Sequence, residues 1–214
     1  MKNIHKNGYD LFVRGSYLFF QTVEGKYFSF NGLEILQIQT DEFLSSKFGA
    51  EYLKILPYLE EGYNEKVLLL EGGVILTCGY RDFYFQWFSR DGALIKKKEN
   101  IGFNSIYAIA IDKDNRIFYT IPTASYVGIF SLEEDKEILP YSDYKFLGIF
   151  DYPEDIKIYG NEAYISNMGN NKLMTMNIVN LEVTEYLSFF EPVWEYIRLN
   201  ELEIVRLDSG IYVL

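Results

Sequence analysis

Apolar residues alternate with polar ones in short runs along most of the chain, and the runs stop at small or turn-forming residues. A turn residue, one spacer and an apolar run recur at Gly15-Ser16-Tyr17, Gly72-Gly73-Val74, Asn115-Arg116-Ile117, Asn161-Glu162-Ala163 and Asn200-Glu201-Leu202, at intervals of 57, 43, 46 and 39 residues. Alternation with a period of two predicts half-buried strands. A repeat of about 40–45 residues holding several strands predicts a β-propeller. The expected fold is all-β, a five-bladed β-propeller, with a closed barrel or a sandwich as the alternative.

The runs predict four strands per blade. Blade one, about 9–39, reads Tyr9 to Val13, Tyr17 to Thr22, Lys26 to Phe30 and Leu33 to Gln39, with Asn31-Gly32 as a hairpin turn. Blade two, about 66–100, reads Lys66 to Leu70, Val74 to Cys78, Phe83 to Phe88 and Ala93 to Lys97. Blade three, about 105–145, reads Ile106 to Ile111, Ile117 to Ile121, Tyr126 to Phe130 and Lys136 to Leu139. Blade four, about 150–190, reads Ile156 to Tyr159, Ala163 to Asn167, Lys172 to Asn177 and Val183 to Phe189. Blade five, about 193–214, has only Val193 to Leu199, Leu202 to Arg206 and Ile211 to Leu214. A fourth strand for it is expected from Met1 to Lys6, closing the ring and removing two exposed edges. All of residues 1–214 are expected to form one domain.

The insertion 40–64 breaks the rhythm. Phe43, Leu44, Phe48, Tyr52, Leu53 and Leu56 fall near helical spacing and Asp41 suits a cap, so a short helix is expected there. A long, ragged final strand of blade one is the alternative.

Two stretches resemble known repeats. Tyr164-Ile165-Ser166-Asn167, followed by Gly169-Asn170-Asn171-Lys172, resembles the YVTN-type propeller repeat, although Asn177 stands where that repeat often has Asp. Ala108 to Tyr119 resembles the NHL and gluconolactonase-like repeat. The resemblance implies a propeller fold and no particular activity.

Composition narrows the function. Nineteen Tyr and seventeen Phe suit pleated, half-buried surfaces. The net charge of −11, from 31 acids against 20 bases, argues against direct nucleic-acid binding and favours a basic partner. Cys78, the one cysteine, excludes an intramolecular disulfide and reads as a buried apolar residue. Neither a signal-peptide pattern nor an apolar run of membrane-spanning length is present, so a cytoplasmic location without membrane contact is expected.

Candidate chemistry is sparse. His5 is the one histidine, which excludes a multi-histidine metal site, and it is expected to be exposed and inert. Asp112-Lys113-Asp114-Asn115 lacks the Gly and the distant Glu of a calcium loop and reads as a tight turn. No phosphate-cradling glycine motif occurs, and no cofactor is expected. Asp10 and Glu195 are the carboxylates on the expected channel-lining strands; paired, they would suit a hydrolase. The stronger lead is a set of aromatic and acidic loop residues expected on one face: Tyr58, Glu60, Glu61, Tyr63, Tyr80, Asp82, Phe103, Asp151, Tyr152, Glu154, Asp155, Phe190, Glu191 and Asp208. Aromatic anchors ringed by carboxylates suit recognition of a basic protein. The expected function is therefore a non-enzymatic protein-binding propeller, in profile resembling a bacterial immunity protein against a basic, nuclease-type toxin. The alternatives are a carbohydrate or small-ligand binder and a hydrolase.

Overall fold

The computed structural model describes residues 1–55, 66–70, 75–78, 84–89, 91–102, 104–140, 143 and 145–214. They form five four-stranded antiparallel sheets in a β-propeller arrangement. The first sheet is β2 (Gly8–Arg14), β3 (Tyr17–Thr22), β4 (Tyr27–Phe30) and β5 (Ile35–Ile38); the second is β6 (Lys66–Leu69), β7 (Ile75–Cys78), β8 (Phe85–Phe88) and β9 (Leu94–Lys98). The third is β10 (Ala108–Ile111), β11 (Arg116–Ile121), β12 (Tyr126–Ser131) and β13 (Lys136–Leu139), and the fourth β14 (Pro153–Tyr159), β15 (Glu162–Asn167), β16 (Lys172–Asn177) and β17 (Val183–Ser188). The last is β18 (Val193–Leu199), β19 (Leu202–Leu207), β20 (Gly210–Val213) and β1 (Lys2–His5), the N-terminal strand pairing antiparallel with β20.

Turn chemistry sets these strands. Three of the hairpins between first and second strands use two residues, and the first of each has a left-handed backbone: Gly15 at φ 59°, Gly160 at 63° and Asn200 at 53°. Gly and Asn are the residues that reach this region at least cost. In the fourth sheet the turn begins at Gly160, one residue before the expected Asn161. In the third sheet the four-residue turn is held by Asp112, whose Oδ1 accepts the N–H groups of Asp114 (3.0 Å) and Arg116 (2.8 Å). Asn177 performs the turn role of the Asp it replaces, accepting from the N–H groups of Val179 (3.0 Å) and Asn180 (3.2 Å) through Oδ1.

The core lies between the sheets. One large apolar cluster runs from Phe85 and Trp87 through Phe118 and Phe130 to Ile156 and Met176, crossing three sheets. A second joins Leu11, Leu18 and Phe20 of the first sheet to Ile197, Leu199, Ile204 and Ile211 of the last. His5 belongs with this second group. It is half-buried rather than exposed, with its ring 5.4 Å from Phe20 and 5.0 Å from Phe28, because β1 lies over the end of that cluster.

The insertion carries α1 (Thr40–Ile55), a 16-residue helix that is longer than the expected short one. It starts at Thr40, so Asp41 and Glu42 lie in the first turn, where carboxylates favour the helix dipole. Phe43 anchors it: the ring is buried 4.5 Å from Tyr27 and 5.3 Å from Phe12. Among the described residues no helix is long and apolar enough to cross a membrane.

Candidate functional site

The innermost strands meet around an axial cavity of about 300 Å³. Its lining takes Leu11 and Phe12 from β2, Leu68 from β6, Ala108 to Ile111 from the third sheet, Lys157 to Tyr159 from β14, and Lys47 from α1. A smaller cavity of about 110 Å³ lies at its mouth and shares Asp10 and Asp155 with it. Tyr9, Tyr107, Glu154, Trp194, Glu195 and Arg206 complete that mouth. A third cavity, about 390 Å³, opens outward past Lys6, Asn7 and Asp208 and shares Tyr9, Trp194 and Arg206 with the second.

Bulges aim these side chains. The register shifts between Tyr9 and Phe12, between Pro153 and Asp155, and between Val193 and Glu195, each near the same end of an innermost strand. An extra residue at such a point bends the strand and turns side chains toward the axis. Asp10, at φ 58°, sits within the first shift.

Each axial carboxylate has a defined place. Glu195 is buried and takes the N–H groups of Asp10 (3.1 Å) and Leu11 (3.2 Å) on separate oxygens, while Arg206 lies 3.3 Å from Oε2. It thus clamps the last sheet to the first across 184 and 185 positions of sequence. Asp155 is buried against the Lys157 ammonium (2.6 and 2.7 Å). Asp10 accepts from Gln21 Nε2 (3.0 Å) and pairs with Lys47. Burial, and then the Asp10 charge, lift the Tyr9 phenol above its usual pKa. Asp10 and Glu195 do meet, as the hydrolase alternative needs. Their contact, however, is a carboxylate holding the backbone of the other residue, a structural clamp. Among the described residues no group of three or more His, Cys, Asp or Glu side chains is placed to hold a metal ion.

Among the described residues, loops between second and third strands and loops between sheets meet on one face, here the upper face, and several are cross-linked. Asn7 Nδ2 donates to Glu24 (3.4 Å), and Ser209 donates to both oxygens of Glu191 (2.8 and 2.5 Å). The Tyr-Ile-Ser-Asn repeat has its role here. Buried Asn167 accepts the Asp151 N–H through Oδ1 (2.8 Å), and Gly169 N–H donates to the Asp151 carbonyl (2.9 Å). A Cβ on Gly169 would stand 2.8 Å from that carbonyl oxygen, so glycine allows the approach.

Of the interface residues expected from sequence, Tyr58, Glu60, Glu61, Tyr63, Tyr80, Asp82 and Phe103 lie outside the described residues. Asp151, Phe190 and Asp208 are exposed on the upper face, and Tyr152 and Glu191 are half-buried there. Phe190 is fully exposed beside an apolar cavity of about 330 Å³ lined by Met1, Leu187, Phe189, Leu207 and Leu214. Asp208 accepts the Trp194 indole N–H (2.6 Å). Glu154 and Asp155 depart from expectation: they belong to β14, which starts at Pro153, and they face the axial cavities rather than the outer rim. Pro153, at the first position of the strand, and the bulge at Glu154 interrupt the alternation and make this segment read as a loop.

Sequence reasoning passed over Tyr9, Tyr107 and Arg206, and it counted Trp194 against a sugar site because Trp87 and Trp194 do not occupy equivalent positions in their blades. Arg206 had a usable signal, because it stands directly opposite Glu195 in the β18–β19 hairpin, a cross-strand pair of opposite charge.

The sequence matches no protein-family model and no curated protein. Solved structures resemble the fold. A catalytically inactive virginiamycin B lyase from Staphylococcus aureus with quinupristin matches with a TM-score of 0.56 at 11% identity, over 99% of this chain and 66% of that one. The Neurospora crassa Pan2 WD40 domain matches with a TM-score of 0.55 at 10% identity, over 98% and 60%. The WD40 β-propeller domain of Doa1 matches with a TM-score of 0.55 at 11% identity, over 94% and 60%. The chain thus spans about three-fifths to two-thirds of the length of these propellers. At such identities the likeness shows the fold alone.

Proposed function

We propose that this chain is a non-enzymatic binding protein: one domain, a closed five-bladed ring, whose upper face docks a basic protein. The observation that carries the reading is Phe190. A fully exposed phenylalanine between Phe189 and Glu191, on a face that also bears Asp151 and Asp208, has the form of an interface anchor with an acidic rim. Burying such a ring stabilises a complex by about 1.5–3 kcal/mol. The net charge of −11 steers cations toward the molecule. Within this class, a cytoplasmic bacterial immunity protein that covers the phosphate-binding cleft of a nuclease toxin fits the net charge.

The hydrolase reading is weaker, because Glu195 spends both oxygens on backbone amides. The test is affinity capture from the native host with the wild-type chain, Phe190→Ala and Glu191→Lys/Asp208→Lys. The expected result is a partner of basic isoelectric point, retained by the wild type and weakened roughly 30-fold by Phe190→Ala, a hot-spot loss of ~2 kcal/mol. Capture of the same partner by all three proteins refutes the placement. Turnover of a glycoside or ester by the purified chain refutes the class.

A further inference from the structure

The mouth of the axial cavity borders the Phe190 cavity at Leu207 and has a different chemistry. We infer that it is a binding site for a neutral polyhydroxylated ring, a pyranose sugar. The inference does not rest on the protein-docking reading, although the two sites share Asp208.

Two connected cavities of about 110 and 390 Å³ share Tyr9, Trp194 and Arg206, and the larger falls in the usual range for small-ligand sites. Three aromatic residues, Tyr9, Tyr107 and Trp194, line the smaller one together with carboxylates and a guanidinium. The carbon-bound face of a pyranose is apolar and packs on aromatic rings. Its hydroxyls each donate and accept, so they bridge acceptors such as Glu154 and donors such as Arg206.

Charge discriminates among ligands. Asp10, Asp155 and Glu195 stand against Lys47, Lys157 and Arg206 respectively, so most of the lining is internally balanced. An organic cation would meet the Arg206 guanidinium, which already lies 5.2 Å from the Trp194 ring and 5.9 Å from the Tyr9 ring. An anion would meet the carboxylates at close range. A neutral polyol meets neither repulsion and uses both kinds of partner.

The groups are also fixed in advance. The Trp194 indole is held by Asp208 at 2.6 Å, and Arg206 by Glu195 at 3.3 Å. Side chains already immobilised lose little entropy on binding.

The test uses the methyl pyranosides of glucose, galactose, mannose and N-acetylglucosamine, with n-butylammonium and acetate as charged comparators. Tryptophan emission and saturation-transfer NMR are read on the full chain. Trp87 is buried 6.0 Å from Phe85 and 6.4 Å from Phe130, so a change in emission reports Trp194. The expected result is a saturable change with at least one pyranoside, at a Kd of about 1 mM, with saturation concentrated on the carbon-bound protons of one sugar face. Trp194→Ala, which removes the emission reporter and is therefore read by saturation-transfer NMR, should weaken binding by about tenfold or more, through loss of the stacking surface. Glu154→Gln should also weaken it, and serves if Trp194→Ala fails to fold. Unchanged binding in a folded Trp194→Ala variant overturns the site. Absence of any sugar response at about 100 mM, or saturable binding of n-butylammonium or acetate in place of sugars, overturns the ligand class.

Discussion

Two seams between neighbouring sheets are built from different materials. Between the fourth and last sheets, Tyr159, Tyr164 and Tyr196 pack with ring centroids 4.8–6.2 Å apart, and the Arg198 guanidinium lies 4.5–5.9 Å from all three rings. Arg198 donates to the hydroxyls of Tyr164 (2.6 Å) and Tyr196 (2.7 Å) and to Glu203 (3.0 Å). Between the last and first sheets the two-residue link 6–7 joins β1 to β2, while β18, β19 and β20 are distant from β2 in sequence. There Glu195 takes two backbone amides of β2, and β1 crosses over to pair with β20. The first seam joins segments adjacent in sequence, and packing with a shared cation suffices. The second joins segments nearly the full chain apart, and there a buried carboxylate accepts two backbone amides of the facing strand.

The largest expected effect is on the second seam. Deleting residues 1–6 exposes the β20 edge and uncovers the cluster around Phe20 and Ile211. We expect a loss of about 4 kcal/mol or more and aggregation on concentration, seen by urea titration and light scattering. Unchanged stability would show that β1 contributes nothing to the seam. Glu195→Ala leaves two amides and Arg206 without their acceptor in a buried place. We expect a loss of about 3–5 kcal/mol, with Glu195→Gln intermediate.

The first seam should be softer. Arg198→Ala removes the shared cation and leaves tyrosine hydroxyls that retain other partners, notably Tyr196 on Glu203 at 3.0 Å. A loss of about 1–3 kcal/mol is expected in the same titration. If Arg198→Ala costs more than Glu195→Ala, the ordering of the two seams is wrong.

Alkali sharpens the contrast further. Burial raises the Tyr159 phenol from 10.0 to about 12, and it also raises Tyr196. A raised folded pKa means that the native state holds the proton more tightly, so the contribution is full below about pH 10 and is lost as pH rises through about 12. The double variant Tyr159→Phe/Tyr196→Phe should therefore lose less melting temperature than the wild type between pH 9 and pH 12. The smallest effect belongs to Phe190→Ala. It leaves stability within about 0.5 kcal/mol, as expected of a side chain exposed in the free protein.

The seams also mark how far sequence reading reached. The strands Tyr17–Thr22, Lys136–Leu139, Lys172–Asn177 and Val193–Leu199 fall where alternation and turn residues put them, because those signals are local. The N-terminal strand on β20 follows from the count of strands in the last sheet rather than from its own weakly apolar sequence. The Glu195 clamp and the half-buried His5 follow from contacts between segments far apart, which no local pattern encodes. The aromatic mouth stayed hidden for the same reason: Tyr9 comes from the first sheet, Trp194 from the last and Tyr107 from the segment just before β10, and they converge only at the axis.

The central claim is that the first and last sheets are locked as firmly as any neighbouring pair, so that the upper face is a rigid platform. Amide hydrogen exchange at Asp10 and Leu11 tests it most directly, since Glu195 holds both N–H groups. The account predicts exchange only through global unfolding, at the same free energy as the β15 amides in the fourth sheet, with a large acceleration in Glu195→Ala. Fast exchange of Asp10 and Leu11 in the wild type, while β15 stays protected, would contradict it.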